Sequence, residues 1–266
     1  MPCQQANGQA MKHDIPTVLP EVAESKTSGR RLFLGVAATG LAGVLIAPGV
    51  RLIEMAQAAP SATGAINQVR WGMLIDSSKC ASDCTACVSA CNRENGLSGG
   101  TKATDSQWIR KIEVRQISTG KTQSLPMLCQ HCAEPPCVDV CPTGASFKRA
   151  DGIVLVDKHI CIGCRYCLMA CPYKARSFVH EPLHDQKPDV PRGLGTAEAC
   201  TLCVHLVDRG ESPACMSACG EAGHGAILFG DLNDPGSEIA RRVASYPSRQ
   251  IREDLNLNTG VRYSGI

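Results

Sequence analysis

The stretch that decides the fold is Cys161-Ile162-Gly163-Cys164-Arg165-Tyr166-Cys167-Leu168-Met169-Ala170-Cys171-Pro172. Its spacing, C-x2-C-x2-C-x3-C-P, is typical of loops that bind cubane iron–sulfur clusters. Three thiolates so close together can wrap one face of a cube, because each corner iron needs one sulfur ligand. The proline after the fourth cysteine lacks an N–H donor and stops a helical continuation. The motif therefore predicts iron–sulfur binding.

Three further groups of four cysteines vary this pattern. The group at 129–141 reads C-x2-C-x4-C-x3-C-P, and the group at 80–91 opens with C-x3-C. The last group, at 200–219, has an eleven-residue central gap, and Gly220 follows it where two other groups have proline. Four such groups form an internal repeat. The sixteen candidate ligands are Cys80, Cys84, Cys87, Cys91, Cys129, Cys132, Cys137, Cys141, Cys161, Cys164, Cys167, Cys171, Cys200, Cys203, Cys215 and Cys219.

Composition limits the other functions. The chain has 266 residues, a formal net charge of +2, 17 cysteines and only 4% aromatic residues. Balanced charge without a basic block argues against nucleic acid or an anionic membrane surface as a partner. Few aromatic residues and many cysteines indicate a chain organised by inorganic groups rather than by one large apolar core.

The first 58 residues are interpreted as a targeting segment. Arg30-Arg31 precedes an apolar stretch rich in glycine and alanine, and resembles a Tat signal for export of folded proteins. Small residues at Ala56 and Ala58 predict cleavage before Ala59. An uncleaved anchor helix is the alternative, since the stretch has about the minimum length for a membrane span. The mature protein is expected in the periplasm, with its clusters inserted before export.

The rest of the chain predicts a loop-rich α+β fold. Val69 to Ile75 alternate as a half-buried strand should, and a second strand is expected at 110–117 before a turn at 119–121. Ala145–Lys148 and Ile153–Val156 flank Ala150-Asp151-Gly152 as a hairpin would. A strand at 175–179, a strand at 226–229 and a helix near 238–244 complete the expected elements. Ser237 would cap that helix.

We expect two nested modules that resemble bacterial ferredoxins. The outer module comprises 59–125 plus 195–266, and the inner two-cluster module comprises 126–194. This arrangement follows if the first cysteine group pairs with the last and the second with the third. The tail at 245–266 contains no motif that predicts a function.

Two alternatives to clusters remain at this point. An exported protein with an even number of cysteines can form disulfides, but a disulfide framework does not need three cysteines in seven residues followed by proline. Zinc can use C-x2-C pairs, but two pairs would suffice and the other cysteines would be unexplained. No C-x2-C pair is followed by histidine, so covalent c-type haem is not expected. His131 is interpreted as a hydrogen-bonding neighbour rather than as a ligand.

Several motifs of the sequence, taken together, resemble those of one protein family. The four cysteine groups, Cys137–Ala145, Cys161–Cys164 and Phe229-Gly230-Asp231 resemble the four-cluster ferredoxin-like subunits of membrane oxidoreductases, over nearly all of 66–245. Known members serve DMSO reductase, polysulfide reductase and formate-dependent nitrite reductase (NrfC type). The Tat signal, the C-x3-C opening and residues 230–237 are most similar to the DsrO type, the periplasmic iron–sulfur subunits of Dsr complexes in dissimilatory sulfur metabolism.

The resemblance implies four [4Fe–4S] clusters with crossed ligation. Each cluster would take three cysteines from one group and the last cysteine of the paired group. The extra residue between Cys80 and Cys84, and Gly220 in place of proline, put the outer pair in question. The implied ligand sets are Cys80, Cys84, Cys87 with Cys219; Cys200, Cys203, Cys215 with Cys91; Cys129, Cys132, Cys137 with Cys171; and Cys161, Cys164, Cys167 with Cys141.

The resemblance also implies a function without catalysis by this chain. It would transfer electrons between an integral-membrane quinone-interacting subunit of the NrfD type and a multihaem cytochrome c. One rival is the electron-transfer arm of a periplasmic molybdopterin oxidoreductase of the polysulfide reductase type. The other is a free-standing polyferredoxin carrier.

Overall fold

The computed structural model describes residues 65, 67–100 and 102–266. The predicted Tat signal and its cleavage site lie outside the described residues. Those described belong to the unit Ala58–Ile266. Within this part of the chain, no helix has the length and apolar character needed to cross a bilayer.

Short strands and helices alternate with long loops in the described part of the chain, as expected for a loop-rich α+β protein. Two single-turn 3-10 helices, Ser77–Lys79 and Glu253–Leu255, accompany them. In chain order the other elements are β1 (Trp71–Asp76), α1 (Ala86–Glu94), β2 (Ile109–Arg115), β3 (Thr122–Leu128), α2 (Pro136–Asp139), β4 (Ser146–Lys148), β5 (Val154–Val156), α3 (Tyr166–Ala170), β6 (Arg176–Phe178), β7 (Ala197–Ala199), α4 (Val204–Val207), α5 (Ala214–Glu221), β8 (Ile227–Asp231), α6 (Glu238–Ser245) and β9 (Val261–Ser264).

The largest sheet has the strand order β8-β1-β9. Met73 of β1 pairs with Phe229 of antiparallel β8 and with Val261 of parallel β9. The prediction of a half-buried strand was wrong, because both faces of β1 are covered. Met73 and Ile75 lie in the core with the cysteines, while Leu74 is buried on the opposite face, against which α6 packs.

In the described part of the chain, the remaining strands form three two-stranded sheets. The predicted turn at 119–121 joins β2 to β3, and the predicted hairpin at 150–152 joins β4 to β5. The strand predicted at 175–179 is β6, and it pairs with β7 through Arg176 and Ala199. This pairing places β6 beside the strand that leads to Cys200, the first cysteine of the last group.

The helix predicted near 238–244 is α6, and its cap is confirmed. The Ser237 Oγ accepts a hydrogen bond from the Ala240 N–H at 3.1 Å and so satisfies a donor of the first turn. The tail that follows adds β9 to the main sheet, with Tyr263 fully buried. The tail is therefore part of the core.

Candidate metal centre

All sixteen candidate cysteines are free thiols. Most are buried, and Cys164 is the exposed one among them. Within residues 67–100 and 102–266, no three Cys, His, Asp or Glu side chains form a group suited to a single metal ion. The thiols instead group into four sets, defined here as set 1 (Cys80, Cys84, Cys87, Cys219), set 2 (Cys200, Cys203, Cys215, Cys91), set 3 (Cys129, Cys132, Cys137, Cys171) and set 4 (Cys161, Cys164, Cys167, Cys141).

Set 1 joins the first cysteine group to the last. Its four thiols line one small cavity. Burial raises the pKa of Cys87 to about 11, and the nearby Cys80 and Cys219 add to the effect. The two departures from the usual spacing, Gly220 in place of proline and the extra residue between Cys80 and Cys84, leave all four cysteines of set 1 together. Gly220 lies within α5, and Lys111 binds the longer loop. The Lys111 ammonium donates to the carbonyl oxygens of the loop that ends at Cys84.

Set 2 contains three cysteines of the last group together with Cys91, the last cysteine of the first group. Burial raises the pKa of Cys91 to about 12, and the adjacent Cys203 adds to the rise. Burial likewise raises the pKa of Cys200, where Cys91 and Cys215 contribute. The last cysteine of the first group therefore sits among three from the fourth group. The helix packing of α1 against α5 brings them together.

Sets 3 and 4 exchange their cysteines in the same way. Burial raises the pKa of Cys132 to about 12, and the neighbours Cys129 and Cys171 add to it. The four thiols of set 4 line one small cavity, which Cys141 enters from the preceding group. The thiols of each crossed set therefore lie near one another. That these sets ligate the clusters stays a prediction.

Each set takes one cysteine from the paired group, here called the exchanged cysteine: Cys219, Cys91, Cys171 and Cys141 in sets 1 to 4. An N–H group donates a hydrogen bond to the sulfur of each exchanged cysteine. In three sets the donor is a backbone amide a few residues further on: Ser146 to Cys141 (3.3 Å), Ala175 to Cys171 (3.5 Å) and Ala226 to Cys219 (3.2 Å). In set 2 the donor is the side chain of Asn95, whose Nδ2 lies 3.5 Å from the Cys91 Sγ. Such bonds stabilise sulfur in its anionic, metal-bound form.

The protein groups around these sets fit [4Fe–4S] clusters. Buried thiols with raised pKa values become thiolates when a metal core offsets their charge. Arg176 is buried, and its Nε and Nη1 atoms have no hydrogen-bond acceptor among the described residues. Buried unpaired donors are costly, and inorganic sulfide is an acceptor that would satisfy them. The sixteen cysteines would hold the clusters, and the backbone amides would donate to the ligand sulfurs.

The four sets follow one another in space. Cys87 of set 1 and Cys91 of set 2 lie on the same helix, α1. Tyr263 interacts electrostatically with Cys200 of set 2 and with Tyr173, and Tyr173 interacts with Cys132 of set 3.

Sets 3 and 4 are linked by a guanidinium. Arg176 donates through Nη2 to the Cys137 Sγ at 3.1 Å, and it also interacts electrostatically with Cys167. The sets are therefore connected in the order 1, 2, 3, 4: α1 carries cysteines of sets 1 and 2, Tyr263 and Tyr173 are electrostatic neighbours of sets 2 and 3, and Arg176 links sets 3 and 4.

His131 is a hydrogen-bonding neighbour, as predicted. Its Nδ1 accepts a bond from the Val154 N–H at 3.0 Å. Burial, reinforced by the nearby Arg176, lowers the pKa of His131 to about 3. The imidazole is therefore neutral at physiological pH.

Sequence reasoning missed the supporting residues Lys111, Arg176, Asn95 and Tyr263. Only Asn95 had an available signal, because a side chain four residues after Cys91 lies over the next helical turn. The other three approach cysteines from distant strands, and no spacing motif marks them.

Residues 121–231 match a family model described as a 4Fe-4S dicluster domain. The chain is 37% identical over 89% of its length to Hdr-like menaquinol oxidoreductase iron-sulfur subunit 1 of Archaeoglobus fulgidus, covering 98% of that protein. It is 41% identical to a subunit of the tetrathionate reductase of Salmonella typhimurium (84% and 85% of the two chains). It is also 39% identical to Protein NrfC of Escherichia coli (70% and 77%).

These similarities and the site define an iron–sulfur electron-transfer protein. The chain belongs to the family of ferredoxin-like iron–sulfur subunits of multisubunit oxidoreductases. Its cofactors are [4Fe–4S] clusters, and it is an electron-transfer subunit rather than a catalytic one.

Proposed function

We propose that this chain is the periplasmic four-cluster subunit of a membrane-bound redox complex in dissimilatory sulfur metabolism. It would relay electrons between an NrfD-type membrane subunit that interacts with quinone and a multihaem cytochrome c. The observation that carries the proposal is the succession of four crossed cysteine sets, in which each set neighbours the next. Such a series has two ends, as a relay between two partners requires.

The set 4 end carries an apolar surface. Cys164 is exposed, and so are large apolar side chains around it: Ile162 is 66%, Met169 65% and Leu194 57% exposed. An exposed apolar patch beside a redox centre is typical of a protein interface. This surface supports a partner protein docking where electrons enter or leave.

The set 1 end opens into a groove of about 570 Å³. Gly220, which follows Cys219 in sequence, and Ala226, whose N–H donates to the Cys219 Sγ, line the groove, and Met216 and Tyr246 add apolar surface. A Cβ at Gly220 would meet nothing within 4 Å, so this position next to Cys219 borders open space. The groove supports a second contact, beside set 1 at the other end of the series.

The chain would contribute positioning, insulation and electrostatics. The clusters, when bound, would supply one-electron transfer, and their potentials depend on burial and hydrogen bonds to sulfur. Buried cysteines keep water from most of the ligand sulfurs. The four N–H donors hold the exchanged cysteines, while Lys111 and Arg176 place positive charge beside sets 1, 3 and 4.

Two features support the cellular role. The twin arginine at 30–31 supports Tat export to the periplasm after cluster insertion. The menaquinol oxidoreductase relative supports a quinone-linked complex. The outer and inner modules would nest as 59–125 plus 195–266 around 126–194, because sets 1 and 2 draw on the first and last cysteine groups.

A second candidate is the electron-transfer arm of a molybdopterin reductase. The 41% identity to the tetrathionate reductase chain favours it. In that case the catalytic partner would be a large molybdenum subunit in place of the cytochrome.

Affinity purification from solubilised native membranes separates these functions. Recovery of a haem-staining cytochrome and a multispanning protein without molybdenum is the expected result. Stoichiometric molybdenum or tungsten with a large subunit would replace the proposal by the second candidate. Recovery of the chain alone from the soluble fraction would replace it by a diffusible polyferredoxin.

A further inference from the structure

Arg176 occupies an unusual position for a charged residue. It lies on β6 with 8% of its surface exposed. Its Nη2 atom donates to the Cys137 Sγ at 3.1 Å and to the Ser146 Oγ at 2.7 Å. A buried cation needs a compensating negative charge, and ligand thiolates are the nearest candidates.

This one guanidinium reaches both inner sets. It touches set 3 through Cys137 and interacts electrostatically with Cys129 of the same set. On the other side it interacts with Cys167 of set 4. Its partner Ser146 donates a backbone N–H to Cys141, which is also in set 4. Arg176 is therefore placed between the two inner clusters.

Set 2 has a different environment. The hydrogen-bond donor beside Cys91 is the neutral amide of Asn95. The charged neighbour is the carboxylate of Glu94, which interacts with both Cys91 and Cys203. The His205 Nε2 lies 2.8 Å from the Glu94 Oε1. Set 2 thus faces an acidic group where sets 3 and 4 face a cationic one.

Reduction adds one negative charge to a cluster. A buried cation stabilises the reduced form and raises the reduction potential, while a nearby carboxylate lowers it. We propose that Arg176 sets the reduction potentials of the set 3 and set 4 clusters together, above that of the set 2 cluster. This inference rests on the proposed four-cluster electron-transfer function. Electrons would accordingly be more stable on the inner pair than on set 2.

The experiment uses the full chain purified anaerobically with its native partners. The variants are Arg176→Gln, which removes the charge, and Arg176→Lys, which retains it without the planar fork. Arg115→Gln on exposed β2 is the matched control for loss of one arginine. Iron content is measured first. Potentiometric titration with redox mediators, followed by electron paramagnetic resonance, then gives the cluster potentials.

We expect Arg176→Gln to lower the reduction potentials of two clusters, those of sets 3 and 4, and to leave the other potentials unchanged. In Arg115→Gln, all of the cluster potentials should equal those of the wild type. Each of the two one-electron equilibrium constants should fall about tenfold, equivalent to about 59 mV. Arg176→Lys should retain iron and shift the same two potentials less.

Unchanged potentials in iron-replete Arg176→Gln would overturn the inference, as would an equal shift of all clusters. If the glutamine variant loses iron, a second neutral variant, Arg176→Met, decides: lower potentials confined to two clusters support the inference, and unchanged potentials overturn it. The partners that copurify test the proposed function separately, so the two failures are distinguishable.

Discussion

The side-chain amide of Gln130 donates a hydrogen bond to the hydroxyl of Tyr263 across 3.1 Å, although 133 residues separate them in sequence. The same hydroxyl donates to the Pro126 carbonyl oxygen at 3.2 Å. Tyr263 is fully buried and interacts with Cys200 of set 2 and with Tyr173 beside set 3. The last strand of the chain thus joins the outer and inner cysteine sets.

We predict that Tyr263→Phe destabilises the protein. The substitution keeps the ring but leaves the Pro126 carbonyl and a Gln130 N–H without their partner, which costs about 1–3 kcal/mol. Anaerobic urea unfolding, followed by the visible absorbance of the clusters, measures the loss. Tyr246→Phe is the control, because Tyr246 is exposed. Equal unfolding midpoints for Tyr263→Phe and the wild type would contradict the prediction.

The spacing of the cysteines was sufficient to predict iron–sulfur binding, because a cube needs sulfurs at short, fixed intervals. The crossed pairing of the cysteine groups came from the family resemblance and stays a prediction. Hairpins at 119–121 and 150–152 followed from turn residues. Tyr263 could not be found in this way. The strand that carries it has four residues, and its value lies in contacts with Gln130 and Pro126, which leave no local pattern.

The C-x3-C opening of set 1 shows the same limit. In sequence the additional residue between Cys80 and Cys84 puts the cluster in question. In the structure, Lys111 of β2 donates to the carbonyl oxygens of Ala81, Ser82 and Cys84 and holds the loop closed. A lysine 27 residues beyond Cys84 has no motif that connects it to the loop.

We therefore predict that Lys111→Met weakens set 1 specifically. Without the ammonium, three carbonyl groups of the loop lose their donor and the loop opens. Iron should fall by about four atoms from about 16 per chain, since one cubane carries four. Iron analysis of anaerobically purified protein measures this. Lys121→Met, at the exposed β2–β3 turn, should retain the full content. Full iron in both variants would show that Lys111 does not maintain set 1.

A buried ion pair stabilises the strand before the last cysteine group. The Arg192 Nη2 and Nε atoms lie 2.8 and 3.0 Å from the two carboxylate oxygens of Glu198. The side chain of Glu198 is 0% exposed and that of Arg192 is 9% exposed. Glu198 lies on β7, two residues before Cys200, so the pair anchors the approach to set 2.

Glu198→Gln should destabilise the protein by about 3–5 kcal/mol, because it leaves a buried guanidinium without its counterion. Glu181→Gln removes the partner of Lys102 in a solvent-exposed pair, and its unfolding midpoint should not change measurably. Urea unfolding of both variants under anaerobic conditions makes the comparison. Similar midpoints for the two would mean that the Arg192–Glu198 pair contributes no more than a surface pair.

Crossed ligation gives the sharpest test of the candidate metal centre. Cys141 belongs in sequence to the group at 129–141 but lines the cavity of set 4, whereas Cys171 interacts with Cys132 in set 3. If the thiols bind clusters in these sets, Cys141→Ala and Cys164→Ala should alter the same paramagnetic resonance signal. Cys171→Ala and Cys132→Ala should alter a different one. Uncrossed ligation predicts the opposite pairing, in which Cys141→Ala matches Cys132→Ala. Because each comparison is between two single substitutions, partial loss of iron in all four variants does not obscure which signals change together.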